Sequence, residues 1–305
     1  MNRILGSRLS MLWSMKWAMR WAMKCAMRFS LRHSLQLMLM APLVTVIIFL
    51  GVLPKANAAE DEFPGRDLYP SVPYIEIKEL HDRLDEVVVV DVRSSYEYET
   101  LRVKGALNVP LSSNTFVSEM RKLRSADPRP IVVYCNGKTC MKSYKAALKC
   151  SVNRIDNVVS FDAGIMDWAK TYPEKAELLG KGPVNPNQLI SHNEFKKHLL
   201  TPDEYGLKVA NSSAIVLDVR DRFQREALSI FVGRERRAYL DDKKTLDRYI
   251  TKAKRENRML LVHDAAGKQV RWLQYYLKDK GLTDYYFMQG GIAAYYDQIK
   301  KDFTQ

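Results

Sequence analysis

Twice along this chain, short apolar, β-branched runs alternate with stretches whose apolar residues recur at helical spacing, and twice the leading run ends in the same triplet, Asp91-Val92-Arg93 and Asp218-Val219-Arg220. In the first pass the spacing predicts helices over 77–84, 116–123, 143–150 and 165–170, and strands over 87–92, 106–110, 131–134 and 158–161. In the second it predicts helices over 191–200, 244–255, 270–280 and 292–300, and strands over 214–219, 259–263 and 285–288. Strands that alternate with helices pair in parallel and need helices on both faces, so the expected class is α/β with doubly wound sheets.

The two passes carry matching landmarks in the same order. The strand end Tyr134-Cys135 answers to His263-Asp264, and Gly164-Ile165-Met166-Asp167-Trp168 answers to Gly291-Ile292-Ala293-Ala294-Tyr295. This is the pattern of one domain repeated in tandem. Gly180-Lys181-Gly182-Pro183-Val184-Asn185-Pro186 reads as the linker between copies. The expected division is a leader over 1–58, a connecting segment over 59–73, a first domain over 74–179, a linker over 180–186 and a second domain over 187–305.

Charge is distributed unevenly. The 305 residues carry 48 Lys and Arg against 35 Asp and Glu, but eight of the bases and none of the acids fall in residues 1–58, so the rest has 40 against 35 and a net charge of +5. The basic character therefore belongs to the leader, and no nucleic-acid partner is expected. Residues 35–53 form an uncharged apolar run that follows Arg28 and Arg32 and precedes Ala56-Asn57-Ala58, the order of a secretory signal with a small-residue cleavage site. The expectation is cleavage after Ala58 and a periplasmic or secreted protein; an uncleaved run, about 28 Å long as a helix, would instead anchor the chain in a membrane. Residues 1–26, with a basic residue after each of Met15, Met19 and Met23, read as an upstream extension of the leader.

Cysteines beyond the leader number three, Cys135, Cys140 and Cys150. An odd count in an exported chain points to a reactive thiol rather than a pure disulfide framework. Cys135 follows the strand 131–134 and precedes a helix expected to be capped by Ser143, so it sits at a strand-to-helix crossover. There, inward backbone N–H groups, the positive helix end, Lys138 and Lys142 favour thiolate over thiol. Such a cysteine suits sulfur or phosphoryl transfer. Asn136, Gly137, Lys138, Thr139 and Lys142 would form the substrate cradle. Cys140, in the same loop, is a candidate resolving thiol, and Cys150 is expected in the core. Asp91, Arg93 and Glu97 read as a supporting polar network near the strand ends. No His/Cys cluster has metal-ligand spacing, and no cofactor is implied.

These residues together resemble the rhodanese family. The resemblance is carried by the strand ending in Asp91-Val92-Arg93, then Glu97-Tyr98, Gly105-Ala106-Leu107-Asn108-Val109-Pro110, the strand–Cys135–loop–helix unit, Asn157-Val158 and Gly164-Ile165 with Trp168. It implies a central parallel sheet of about five strands and an active-site loop whose cysteine carries a persulfide. By the resemblance, Cys135 takes sulfane sulfur from a small donor such as thiosulfate and passes it to a thiol, cyanide or a protein acceptor. Residues 187–303 resemble a diverged second copy in which Asp264 replaces the cysteine, so that copy is expected to be silent. Two departures stand out. Leu101-Arg102-Val103 replaces the family's usual Gly-His-Ile, and Cys135 lies eight residues before Ser143 rather than six. The longer loop keeps two other readings open: a cysteine-dependent phosphatase, although the loop has no arginine, and a thiol redox or sulfur-relay binding module cycling Cys135 and Cys140.

Overall fold

Val88-Val89-Val90-Asp91 forms strand β1 (Val88–Asp91), and all four side chains are buried. An unbroken buried run of this kind fits a parallel sheet covered on both faces, and that is what the computed structural model of the chain contains. The structure describes residues 63–220 and 229–304. The apolar run 35–53 and the Ala56-Asn57-Ala58 site lie outside the described residues. From Phe63 onward the chain is one compact unit.

The first half begins with helices α1 (Pro64–Leu68) and α2 (Ile77–Asp82), then β1, helix α3 (Ser95–Thr100), β2 (Leu101–Val103) and β3 (Leu107–Asn108). It continues through α4 (Phe116–Ala126), β4 (Ile131–Tyr134), α5 (Lys142–Val152), β5 (Val158–Phe161), α6 (Gly164–Thr171) and β6 (Ala176–Leu178). The main sheet runs β3-β1-β4-β5, all parallel, with Val88 opposite Ile131 and Asp91 opposite Tyr134. It has four strands where the family resemblance implies about five. The fifth is reduced to a bridge between Tyr74 and Ser160, flanked by Ser160 N–H donating to Pro73 O (2.8 Å) and Ile75 N–H to Ser160 O (3.0 Å). Pro73 has no N–H to extend that ladder. The segment at the Leu101-Arg102-Val103 departure forms β2, which pairs antiparallel with β6.

The second half runs α7 (His192–Lys196), β7 (Leu199–Leu200), α8 (Pro202–Asn211), β8 (Ile215–Asp218), β9 (Glu235–Arg237), α9 (Lys243–Arg255), β10 (Leu260–His263), α10 (Val270–Asp279), β11 (Tyr285–Met288) and α11 (Gly291–Thr304). Its five parallel strands are ordered β7-β11-β10-β8-β9, so β9-β8-β10-β11 repeats the order β3-β1-β4-β5. The helix expected over 191–200 divides: α7 stops at Lys196, and Leu199 and Leu200 pair with Phe287 and Met288 at the sheet edge. Two free ladder positions beside β11 outweigh the local helical pattern. Strand β9, built from Glu235-Arg236-Arg237, has no apolar pattern to announce it and lies at the opposite edge, where charge is tolerated.

One hydrophobic cluster runs through both halves, joining Tyr134, Phe161 and Trp168 with Trp272, Tyr275 and Leu277. Trp168 is fully buried, meets Phe161 edge-on at 5.8 Å and donates its indole N–H to Lys175 O at 2.9 Å. About one helical turn before it, at the start of α6, Gly164 adopts φ +65°, and a Cβ there would lie 2.5 Å from Gly137 N and 2.7 Å from Cys135 O. Ile165 N–H donates to that same Cys135 O at 3.0 Å. The start of α6 therefore presses directly on the Cys135 loop, and only glycine fits. Gly164→Ala is expected to lower the unfolding free energy by about 3 kcal/mol, through positive-φ strain plus overpacking against backbone. Denaturant titration measures this, and an unchanged midpoint would show that the loop yields freely.

Candidate functional site

Strand β4 delivers Cys135 to the crossover, but the thiol does not face solvent. Its side chain is fully buried among the apolar residues between β4 and α5, donating to Cys140 O at 3.0 Å and approaching Ser143 Oγ at 3.7 Å. The readily ionised Cys135 expected from the sequence is thus replaced by a buried thiol. The eight-residue spacing explains it: residues 137–140 close a turn, Cys140 N–H to Gly137 O at 2.8 Å, and this turn covers Cys135. Helix α5 starts at Lys142, with no side-chain cap at Met141. Ser143, expected as the cap, is instead buried in the first helical turn with its hydroxyl toward Cys135.

Behind the loop lies a connected set of buried polar groups. Arg93, fully buried, grips Asp91 through Nε (2.9 Å) and Nη2 (2.5 Å), donates to Leu101 O (2.5 Å), and reaches Asn136 Oδ1 through Nη1 (3.2 Å). Asn136 Nδ2 donates in turn to Glu97 Oε1 at 3.2 Å. Glu97 and Ser94 form a capping box on α3, which places this carboxylate on a helix the apolar pattern did not reveal. Lys142 Nζ closes the chain at 3.7 Å from Glu97. Burial works against ionising Glu97, but Lys142 and Arg93, with the Ser94 N–H and Asn136, outweigh it and hold the carboxyl below its ordinary range.

The two loop thiols differ in kind. Burial pushes Cys135 well above the ordinary thiol value, and its bond to the Cys140 side chain adds to this. Cys140 is lowered to about 6, first by the hydrogen bond from Cys135 and then, against burial, by backbone amides of Lys142 and Asn136 and the charge of Lys142. Cys140, held low while burial pushes Cys135 up, is the more readily ionised of the two. Burial raises Cys150 to about 11, and its side chain sits in the core as the sequence reading has it. All three described cysteines are free thiols.

Cys140 opens on a cavity of about 700 Å³. Its near wall holds Gly137, Thr139, Lys138 and Lys142, with Lys138 3.6 Å from Asp167. Its far wall comes from the second half: His192, Phe195, Lys268, Arg271 and Trp272. Sequence reasoning missed these five, because residues 52 to 132 positions from Cys140 meet the loop only through the shared core. Trp272 also lies 4.9 Å over the Arg93 guanidinium. Among the described residues, no set of three or more His, Cys, Asp or Glu side chains is placed to hold a metal ion.

The corresponding loop of the second half shows what the first one is built to hold. Asp264, buried, accepts from the backbone N–H groups of Ala266 (3.0 Å), Gln269 (2.6 Å), Val270 (3.1 Å) and Gly267. Ile292 N–H donates to Asp264 O at 3.0 Å, as Ile165 does to Cys135 O, and Gly291 presses on this loop as Gly164 does on the other. The inward amides are those of an anion nest, here filled by a carboxylate from the chain itself. Cys140 should therefore be the thiol that reagents find. Iodoacetamide alkylation of the folded protein is expected to modify Cys140 and spare Cys135, with a rate that rises as pH increases through about 6 and levels off above it. Peptide mass mapping across pH checks this, and earlier labelling of Cys135 would contradict it.

The comparisons with known proteins fall on the first half. The family model "Rhodanese-like domain" matches residues 76–171. Among curated proteins, tRNA uridine(34) hydroxylase of Cytophaga hutchinsonii is 30% identical over 105 residues, 34% of this chain and 31% of that protein. The protein of the same name from Erwinia tasmaniensis is 31% identical over 108 residues, 33% of this chain and 30% of its own. The chain thus spans about a third of the length of these relatives. Among solved structures, thiosulfate sulfurtransferase from Pseudomonas aeruginosa is similar at 19% identity and TM-score 0.33, covering 75% of this chain and 46% of that one. BH2092 protein from Bacillus halodurans is similar at 20% identity and TM-score 0.33, covering 43% and 94%. The rhodanese-like family match thus falls on residues 76–171, and within it the 135–143 loop lies where the sequence resemblance puts the family's active-site loop.

Proposed function

We propose that this chain is a sulfurtransferase that takes sulfane sulfur from a small anionic donor such as thiosulfate onto the 135–143 loop and hands it to a thiol, cyanide or protein acceptor. The observation that carries the reading is a thiol with a lowered pKa, Cys140, backed by a second thiol, at the base of a cavity lined by Lys138, Lys142, Lys268 and Arg271. A loop thiolate attacks the outer sulfur of thiosulfate, the sulfur–sulfur bond breaks, and sulfite leaves with the electron pair. The persulfide that remains is an anion, which the loop amides and Lys142 stabilise. Attack by an acceptor thiolate on its outer sulfur then restores the loop thiol.

The second half is read as a diverged copy that performs no sulfur transfer. Asp264 occupies its own anion nest, and a carboxylate there cannot carry sulfane sulfur and repels an anionic donor. Its contribution is the far wall of the cavity. Export is part of the same proposal, on the strength of the basic leader, the apolar run 35–53 and Ala56-Asn57-Ala58. Protein recovered from its host should then begin at Ala59, whereas membrane-bound protein with an intact leader would mean an anchor. Hydroxylation of tRNA, the activity in the relatives' names, is not proposed, since the chain spans only about a third of those proteins. A phosphatase reading lacks the bidentate arginine that would grip a phosphate.

Reduced protein mixed with thiosulfate is expected to release sulfite in a burst equal to the protein present, and the double substitution Cys135→Ser with Cys140→Ser should abolish the burst. Asp264→Asn keeps the side chain's shape and one acceptor oxygen but sets its NH2 against two loop N–H donors; in protein whose circular dichroism and unfolding midpoint show an intact fold, its burst should match wild type within about twofold. Absence of a wild-type burst would end the sulfurtransferase reading. Loss of the burst in Asp264→Asn would end the assignment of the second half as silent.

A further inference from the structure

The structure separates the loop thiols by position, and we infer that Cys140 takes the sulfur from the donor and that, when no acceptor is present, Cys135 resolves the persulfide, closing a Cys135–Cys140 disulfide and releasing hydrosulfide. This rests on the sulfurtransferase reading and reverses the roles that the sequence analysis gives to the two cysteines.

Three observations carry it. First, Cys135 has 0% exposure, and the turn that covers it is pinned by Cys140 N–H to Gly137 O. That turn also abuts the rigid start of α6, where Gly164 leaves no slack beside Gly137 N. An attacking thiolate must line up with the donor's sulfur–sulfur bond, and no such approach to Cys135 exists while the turn is closed. Second, Cys140 lines the cavity wall beside Lys138 and Lys142, where an anionic donor is attracted without any opening of the loop. Third, Cys135 Sγ lies 3.0 Å from Cys140 O, so the inner thiol is packed against the residue that carries the outer one. A sulfur added to Cys140 extends away from Cys135, into the cavity. The inner thiol is thereby placed against the proximal sulfur of a persulfide, not the distal one. The relative acidities of the two thiols agree with this order.

The chemistry closes without an outside reagent up to the disulfide. Cys140 thiolate bonds to the outer sulfur of thiosulfate, and sulfite departs with the electrons of the broken bond. Cys135 then gives up its proton and bonds to the Cys140 sulfur, the bond from that sulfur to the transferred atom breaks, and the transferred sulfur leaves as hydrosulfide carrying that proton. One negative charge enters as the persulfide and one leaves as hydrosulfide. Two equivalents of an external thiol, or one dithiol, reduce the disulfide and are oxidised to their own disulfide before the next turnover.

The test is a single turnover of the reduced full chain with excess thiosulfate and no external thiol, followed by sulfite and sulfide assays and peptide mass mapping. Wild type is expected to yield one sulfite and one sulfide per chain, with a loss of about 2 Da and a peptide joining Cys135 to Cys140. Cys135→Ser, and Cys135→Ala as a second variant should the serine be poorly accommodated in the core, should still release sulfite. Both should yield no sulfide and should hold about 32 Da on the Cys140 peptide. Cys140→Ser should lose the sulfite burst by roughly a hundredfold in rate. A Cys140→Ser burst near wild-type speed with the added mass on Cys135 overturns the inference. So does a wild type that keeps a persulfide and yields no sulfide. Failure of wild type to release sulfite at all is a different result and sinks the underlying reading.

Discussion

The buried ion pair between Arg93 and Asp91 is the constraint on which the site depends. Both side chains are fully buried, and an unpaired charge at either position would cost about 3–5 kcal/mol. Burial opposes the Arg93 charge, but Asp91 outweighs it and keeps the guanidinium ionised. The pair is arranged so that one guanidinium nitrogen is left over for Asn136. Through Asn136 it reaches Glu97, and through Glu97 it reaches Lys142. The end of a strand, the cap of a helix and the lip of the thiol loop are thus held in one polar chain. The Asp218–Arg220 pair at the end of β8 repeats the core of this device, with Nε and Nη2 on the two carboxylate oxygens.

Much of this was readable in the sequence, and the exceptions have physical causes. The runs Val88-Val89-Val90 and Ile131-Val132-Val133 announce buried parallel strands because nothing polar interrupts them, and both proved to be such strands. The Asp-Val-Arg triplet, read as a supporting network, does stand at the strand end beside the loop. Leu199 and Leu200 misled because two leucines carry no period; their state is decided by the neighbouring β11. Strand β9 escaped because edge strands need no apolar face. Loop length hinted at a difference around Cys135, but not that the additional residues would fold back as a lid. The cavity's far wall was invisible for a deeper reason, since no local pattern encodes which residues of one half will face the other.

The two crossover loops solve one problem in different ways. Each turns backbone amides inward at the start of a helix, and each must satisfy them. Around Asp264 a fixed carboxylate does so permanently, with four N–H donors on two oxygens. Around Cys140 the amides of Asn136 and Lys142 and the charge of Lys142 favour a thiolate. The first loop's anion is fixed in the chain. The second loop's anion comes and goes with a proton.

Trp272 gives the shared core a consequence for how this protein tolerates change. The residue belongs to the second half by sequence, yet its ring covers the guanidinium that braces the thiol loop of the first. Thiol loop and distant helix are therefore not separable units of inheritance. Asp264 closes a loop of its own, but α10 beside it, carrying Trp272, stays tied to the architecture of the first half. Eight residues apart, this half holds a carboxylate that closes its own loop and an indole that packs on the brace of the other loop.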